Sequence, residues 1–352
     1  MASGTSWGTA GTIGIALMGM GVGLGIPAPI VAGMVVSGAF FGDKMSPISD
    51  TTNLSAVSSD ANLYDHIKAM SYTTVPAYLI SLVLFTILGF QYANGTGNPA
   101  DIVTIQETLV ANFNLSPIVI LPMVVLFALN LKKVPAVPAM IIGAATAIVV
   151  AMAMQGTSLS EALTAVNYGY GKATGVDLVD NLLLRGGIQR MMWTFSLSFI
   201  ALCLGGVLEK VGYLRALIIG FIGKIKSVGG LVTTVILSTI LGNAAMGEIY
   251  LGIILNGNLY KDEFKKRGLK SSMLSRLLEE GGTLTGALIP WTTAGAFMAT
   301  TLGVSTMELA PYAFLNYINP ILSIVLSFMG IFVLWENKPV KGFRAKKEDG
   351  VA

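Results

Sequence analysis

GDKMSPISDTTN occupies residues 42–53, directly after the apolar run 28–41. It puts two carboxylates (Asp43, Asp50), one ammonium (Lys44) and five small polar side chains (Ser46, Ser49, Thr51, Thr52, Asn53) beside a hydrophobic segment. A charge at bilayer depth costs about 2.5–3.5 kcal/mol even on lenient insertion scales. Pro47 removes a backbone donor and breaks a helix. The stretch therefore reads as a cation or proton site on an interrupted membrane helix. A polar surface loop with Asp50 as an N-cap or turn residue is the alternative that the residues leave open.

The rest of the chain sets the context. Of 352 residues, 53% are hydrophobic and 12% charged, about half the charged share of soluble domains. Apolar runs at 10–25, 28–41, 71–90, 115–131, 134–154, 193–208, 229–258, 284–302 and 312–335 include several long enough for a ~30 Å hydrocarbon core. The expected class is an all-α polytopic membrane protein; the alternation of a β-barrel is missing. The basic residues gather at 132–133, 209–226, 261–276 and 338–347, which places those loops and the tail in the cytoplasm and the polar stretches 91–114 and 155–192 outside. The lysines of 261–276 then meet lipid headgroups, and no nucleic-acid footprint is present. Cys203 is the single cysteine and His66 the single histidine, which is expected at the surface. No phosphate loop, nucleophile motif or metal-ligand spacing points to an enzyme or a cofactor.

Segment 229–258 joins two basic loops, so it cannot be one crossing without violating the charge rule. A re-entrant hairpin resolves the conflict, with GNAAMGE (242–248) at its tip. The chain also resembles itself. Gly4, Gly14, Ile15, Leu17 and Gly19 match Gly242, Gly252, Ile253, Leu255 and Gly257 at a constant offset of 238. Thr51–Thr52, Pro76 and Gly89 fall near Thr292–Thr293, Pro320 and Gly330. Opposite predicted orientations make the two units an inverted repeat, a plan of secondary transporters. The expected organisation is a first repeat at 1–90, a connection at 91–192, a second repeat at 193–335 and a basic cytoplasmic tail at 336–352. The first repeat lacks a counterpart to 193–241, which reads as an N-terminally incomplete unit.

The second repeat carries its own polar interruption, RLLEEGGTLTGALIPWTTAGAF at 276–297. It has the same grammar of acids, hydroxyls and a helix-breaking Pro290. Hard Na⁺ wants oxygen ligands, and a carboxylate beside such a site can also carry a proton. Competition of the two for one group is the minimal chemistry of exchange. Asp43 and Asp50 are the first candidates for ion and proton exchange. Ser46, Ser49, Thr51, Thr52 and Asn53 are neutral ligands or backbone organisers, with Glu280, Thr283, Thr292 and Thr293 as the other half. Secondary candidates are Glu248 and Asn243 at one hairpin tip, Thr5 and Ser6 at the other (GTSWGT, 4–9), and Glu279.

These motifs closely resemble the NhaC-type Na⁺/H⁺ antiporters of the ion transporter superfamily. The resemblance rests on GTSWGT (4–9), GDKMSPISDTTN (42–53), NLYDHIKAM (62–70), GE (247–248) and LSRLLEEGGTLTGALIPW (274–291). It implies Na⁺/H⁺ exchange across the cytoplasmic membrane, hairpins and unwound helices, and a group in which homodimers are common. Members extend upstream of GTSWGT. One branch exchanges malate and protons for Na⁺ and lactate, so an organic-acid antiporter is the first alternative. An inactive or non-transporting membrane protein is the second.

Overall fold

In a computed structural model, the structure describes residues 5–93, 99–132, 134, 136–184, 186–213, 216, 225, 227–340 and 342. Most of the expected basic loop 209–226 and most of the tail lie outside these residues. Apart from one isolated bridge between Leu269 and Trp335, regular structure among the described residues is helical.

Sixteen described helices run in order. Helix α1 starts as Ser6–Thr9, passes through a π turn at Ala10–Gly14 and continues as Ile15–Gly23. It is followed by α2 (Ala28–Lys44), α3 (Asp50–Ser58) and α4 (Leu63–Ala93). A central group comprises α5 (Pro99–Asn112), α6 (Leu121–Leu131), α7 (Ala136–Gln155), α8 (Leu159–Tyr168), α9 (Asp177–Leu183) and α10 (Ile188–Val211). Then come α11 (Val228–Met246) and α12 (Ile249–Lys266). Helix α13 runs as Ser271–Leu278, a second π turn at Glu279–Thr283 and Leu284–Gly286. The chain closes with α14 (Thr293–Leu302), α15 (Thr306–Leu309) and α16 (Phe314–Phe328).

Both expected helix breaks are present, and their local cause is the same. Helix α2 stops at Lys44, Pro47 follows, and Ser49 caps α3 by accepting from the Thr52 N–H. Helix α13 stops at Gly286, Pro290 follows, and Thr292 caps α14 by accepting from the Gly295 N–H at 3.0 Å. Proline prevents continuation, and the hydroxyl satisfies a donor orphaned at the new start. The two caps are 243 positions apart. So are the left-handed residues that end the short helices, Asp60 and Gly303, and the starts of α4 and α15. The packing is reciprocal as well: α2 lies against α16 while α13 lies against α4, and α3 lies against α12 while α14 lies against α1.

Segment 229–258 is a helical hairpin. Ser238 Oγ donates to Asn256 Oδ1 at 2.7 Å, which sets α11 antiparallel to α12. The turn falls at Gly247, where φ is +67° and an added Cβ would sit 2.3 Å from the Ala201 Cβ. Glycine is required there on both counts. Glu248 then caps α12, its Oε1 accepting from the Ile249 N–H at 3.0 Å.

Four described helices are long and apolar enough to cross a membrane, Leu63–Tyr92, Val137–Gln155, Ile188–Leu208 and Val228–Met246, and two bent pairs raise this to six if each counts as one span. Trp193, Phe195, Phe199 and Ile200 on α10, and Ile141 and Val149 on α7, are exposed. Apolar faces of that size suit a lipid solvent. The dense core lies elsewhere, where Leu231, Ile236, Ile253, Leu274, Leu277 and Leu284 are buried.

Three sequence expectations change. Stretches 91–114 and 155–192 are partly helical: α4 continues to Ala93, α5 covers Pro99–Asn112, and α8 starts on a capping box between Ser158 and Glu161. The box supplies a helix start that composition hides. His66, expected at the surface, is fully buried, because the face of α4 that carries it packs on α13. Arg276, counted among basic loop residues, is buried too.

Candidate ion-binding site

The break between α2 and α3 turns Asp43 inward. Asp43 is buried and accepts hydrogen bonds from Ser6 Oγ on Oδ2 and from Ser49 Oγ on Oδ1, each at 2.6 Å. Ser49 Oγ lies 3.1 Å from Thr51 Oγ1. Thr52 and Asn53 serve the backbone. Thr52 Oγ1 donates to the Lys44 carbonyl at 3.1 Å, and Asn53 Nδ2 donates to the Ser49 carbonyl at 2.6 Å and to that of Pro47 at 3.0 Å. These bonds satisfy carbonyls that the break would otherwise strand. Ser46 is buried within the break. Asp50 faces a different way: it is exposed and accepts from its neighbour Thr51 N–H at 2.8 Å and from Tyr250 OH at 2.6 Å.

The two glutamates diverge. They open the π turn of α13, a local widening that recurs at functional positions. Consecutive helical positions point about 100° apart, so each acid meets different partners. Glu280 lies 3.8 Å from Lys44 Nζ and 3.8 Å from Arg276 Nε, with all three side chains at most 1% exposed. It also accepts from Thr73 Oγ1 at 2.5 Å. Arg276 Nη1 donates to the Phe332 carbonyl at 3.1 Å. Glu279 accepts a long bond, 3.3 Å from Ser55 Oγ, on Oε1, and the Thr283 and Thr51 hydroxyls are close enough to act on its carboxyl. Its Oε2 and the Thr283 Oγ1 one turn away are both buried without a hydrogen-bond partner. The charges of Lys44 and Asp43 both act on Glu279.

The structure thus gathers Ser6, Asp43, Ser49, Thr51, Ser55, Glu279 and Thr283 in one buried region, with the Lys44–Glu280–Arg276 cluster beside it. The remaining candidates hold the frame. Thr292 Oγ1 donates to the Gly286 carbonyl at 2.6 Å, and the Thr293 N–H donates to the Gly247 carbonyl at 2.9 Å. Asn243 Nδ2 donates to the Gly282 carbonyl at 2.7 Å and pins the π turn to α11. A Cβ at Gly281 would meet the Ile236 carbonyl at 2.7 Å, so only glycine allows that approach. Thr5 stands at the N-terminus of α1. Glu248 is largely buried at the hairpin turn and feels the charge of Asp50.

Sequence reasoning missed Arg276, Thr73, Ser55, Tyr250 and His66, and read Lys44 only as a charge. Arg276 stands four residues before Glu280, a spacing that signals an ion pair on one helix face. His66 Nδ1 lies 2.6 Å from Ser275 Oγ, and Lys44 is close enough to act on it. No local pattern announces the partners contributed by α3, α4 and α12. Among the described residues no three His, Cys, Asp or Glu gather as a transition-metal set would. Hydroxyl and carboxylate oxygens are the ligands of a hard cation.

The profile of the Na⁺/H⁺ antiporter family matches residues 38–331. The Na(+)/H(+) antiporter NhaC of Alkalihalophilus pseudofirmus is 39% identical over 94% of this chain and 71% of its own length. The arginine/ornithine antiporter ArcD of Halobacterium salinarum is 40% identical over 94% of this chain and 68% of its own length. The malate-2H(+)/Na(+)-lactate antiporter of Bacillus subtilis is 36% identical over 97% of this chain and 73% of its own length. No solved structure matches the chain.

Proposed function

The chain belongs to the Na⁺/H⁺ antiporter family, and on that premise we propose that it exchanges Na⁺ for H⁺ across the cytoplasmic membrane at Asp43 and Glu279. The observation that carries this reading is a pair of buried acids on two interrupted helices, one of which keeps a carboxylate oxygen open. Ser6, Ser49, Thr51, Ser55 and Thr283 supply neutral oxygens around them. Glu280, a sequence candidate for the same role, is held by Lys44 and Arg276 and serves as their counter-ion. Asp50, tied to Tyr250 at a more exposed position, attracts cations towards Asp43.

Charge balance explains the coupling. Lys44 and Arg276 both face Glu280, Lys44 also acts on Glu279, and Glu279 in turn feels Asp43, so the buried group holds two cations and three acids. With all ionised, the buried group carries one net negative charge, which resists moving through a low-dielectric region. One Na⁺ or one proton cancels it. The loaded site can change its facing and the empty site cannot, so one ion is traded for the other. Two inverted units, 1–90 and 193–335, with the tail inside, provide the rocking frame.

The test is Na⁺-dependent dissipation of a pH gradient in proteoliposomes. Asp43→Asn and Glu279→Gln each lose exchange. Wild-type-like exchange in both variants sinks the assignment. The relatives that carry arginine, ornithine, malate or lactate define the competing substrates. An organic acid needs a cation to hold its carboxylate, and both buried cations beside the site already face Glu280. Counterflow with labelled malate, lactate and arginine is therefore expected to be absent.

A further inference from the structure

Helix α16 carries a second set of oxygen donors away from the acids. Asn316, Asn319 and Ser323 are each fully buried. At spacings of three and four they share one face of the helix. Asn316 Nδ2 donates to the Leu284 carbonyl at 2.8 Å, and Asn319 Nδ2 donates to Thr74 Oγ1 at 3.2 Å. Those bonds leave both amide oxygens turned away from the two acceptors. Asn316 Oδ1, Asn319 Oδ1 and Ser323 Oγ are all buried without a partner. Pro320 lies inside the same helix and offers no N–H to the Asn316 carbonyl four residues back. Side chains on a helix lean towards its N-terminus, whereas carbonyls point towards its C-terminus. Asn319 and Ser323 are one turn apart on that face, and Pro320 lies between them.

An unsatisfied buried acceptor costs about 1–3 kcal/mol. Clustering several on one face without donors is costly unless something positive or a water fills the space. Among the described residues no arginine or lysine supplies a hydrogen bond to these atoms. We propose that this face of α16 binds a second monovalent cation, of the Na⁺ class, through neutral oxygens alone, with Asn319 Oδ1 and Ser323 Oγ as its side-chain ligands. Thr74 neighbours Thr73, which donates to Glu280, so this site adjoins the charged cluster yet shares no ligand with Asp43 or Glu279. With only neutral ligands, it does not exchange its ion for a proton. It sets how many cations the protein holds, and the acids set which one is traded.

The experiment is a Na⁺ titration of thermal stability in detergent, with choline as the ionic-strength control. In the Asp43→Asn/Glu279→Gln double variant, Na⁺ still raises the melting temperature. Adding Ser323→Ala or Asn319→Leu to it removes that shift; Ser323→Ala is small enough to keep the fold. Loss of the Na⁺ shift in the acid double variant alone means water fills the face, and overturns the proposal. Survival of the shift after both α16 substitutions overturns it as well. Exchange in proteoliposomes is read separately, so failure of the antiport reading is distinguishable from failure of this one.

Discussion

Glu280→Gln tests the charged cluster most directly. The carboxylate faces Lys44 Nζ and Arg276 Nε, each at 3.8 Å, with no solvent on any of the three. At an effective dielectric of about 20, each contact is worth about 4 kcal/mol of attraction. Desolvation of the ions offsets most of that, and breaking a buried pair from one side costs about 3–5 kcal/mol because an uncompensated charge is left behind. Glu280→Gln leaves Arg276 without its acid and Lys44 with Glu279 alone, and falls within that range. The amide can still accept from Thr73, so the loss is electrostatic in origin. Lys44→Met is milder, because Arg276 continues to neutralise Glu280. The double variant Lys44→Met/Glu280→Gln is more stable than Glu280→Gln alone, since it removes one of the two cations that faced Glu280. Unfolding in mixed detergent micelles gives all four corners of the cycle. Glu280→Gln within about 1 kcal/mol of wild type, or additive effects in the double variant, would refute the reasoning.

Further predictions concern ion competition, the hairpin turn and the connecting region. If Na⁺ and H⁺ share one carboxylate pair, raising the pH removes the competitor. The apparent KM for Na⁺ falls about tenfold per pH unit while the acids remain mostly protonated; a pH-independent KM in proteoliposomes would exclude a shared site. Gly247→Ala forces an L residue to φ +67° and places its Cβ 2.3 Å from Ala201, whereas Gly268→Ala meets the same φ in open space. Both bear the left-handed penalty of about 1–2 kcal/mol, so the larger fall in melting temperature for Gly247→Ala isolates the clash. Outside the spans, hydrogen bonds from the Thr174 N–H and Oγ1 hold the Asp180 carboxyl below its ordinary range. That contribution is present above the ordinary aspartate pKa and is lost as pH falls through the lowered one. The protection factors of the Thr174 and Gly175 amides, corrected for the intrinsic pH dependence of exchange, therefore fall on acidification, and Asp180→Asn removes that fall.

Much of the fold was legible in the chain itself. Hydrophobic runs announce the membrane class, because a bilayer demands continuous apolar stretches and internally satisfied backbone. Pro47 and Pro290, each followed within two residues by a capping hydroxyl, announce the helix breaks, because backbone geometry there is decided by neighbours in sequence. Gly247 before Glu248 marks a hairpin turn for the same reason. The helical parts of 91–114 and 155–192 were less visible, since polar composition masks a helix whose start depends on one capping box.

The division of labour between two adjacent acids belongs to the tertiary structure. Glu279 and Glu280 are chemically identical neighbours, and nothing local distinguishes them. Glu280 meets Thr73, 207 positions away, and Lys44; Glu279 meets Ser55, 224 positions away. Only the packing of α2, α3 and α4 around the π turn gives one acid two cations and leaves the other an open oxygen. His66 is buried by the same packing, against Ser275. The sequence by itself therefore determined that acids sit in broken membrane helices. Which acid is free to carry an ion was decided by contacts between segments hundreds of residues apart, because the electrostatics of a buried carboxylate depend on what surrounds it in space.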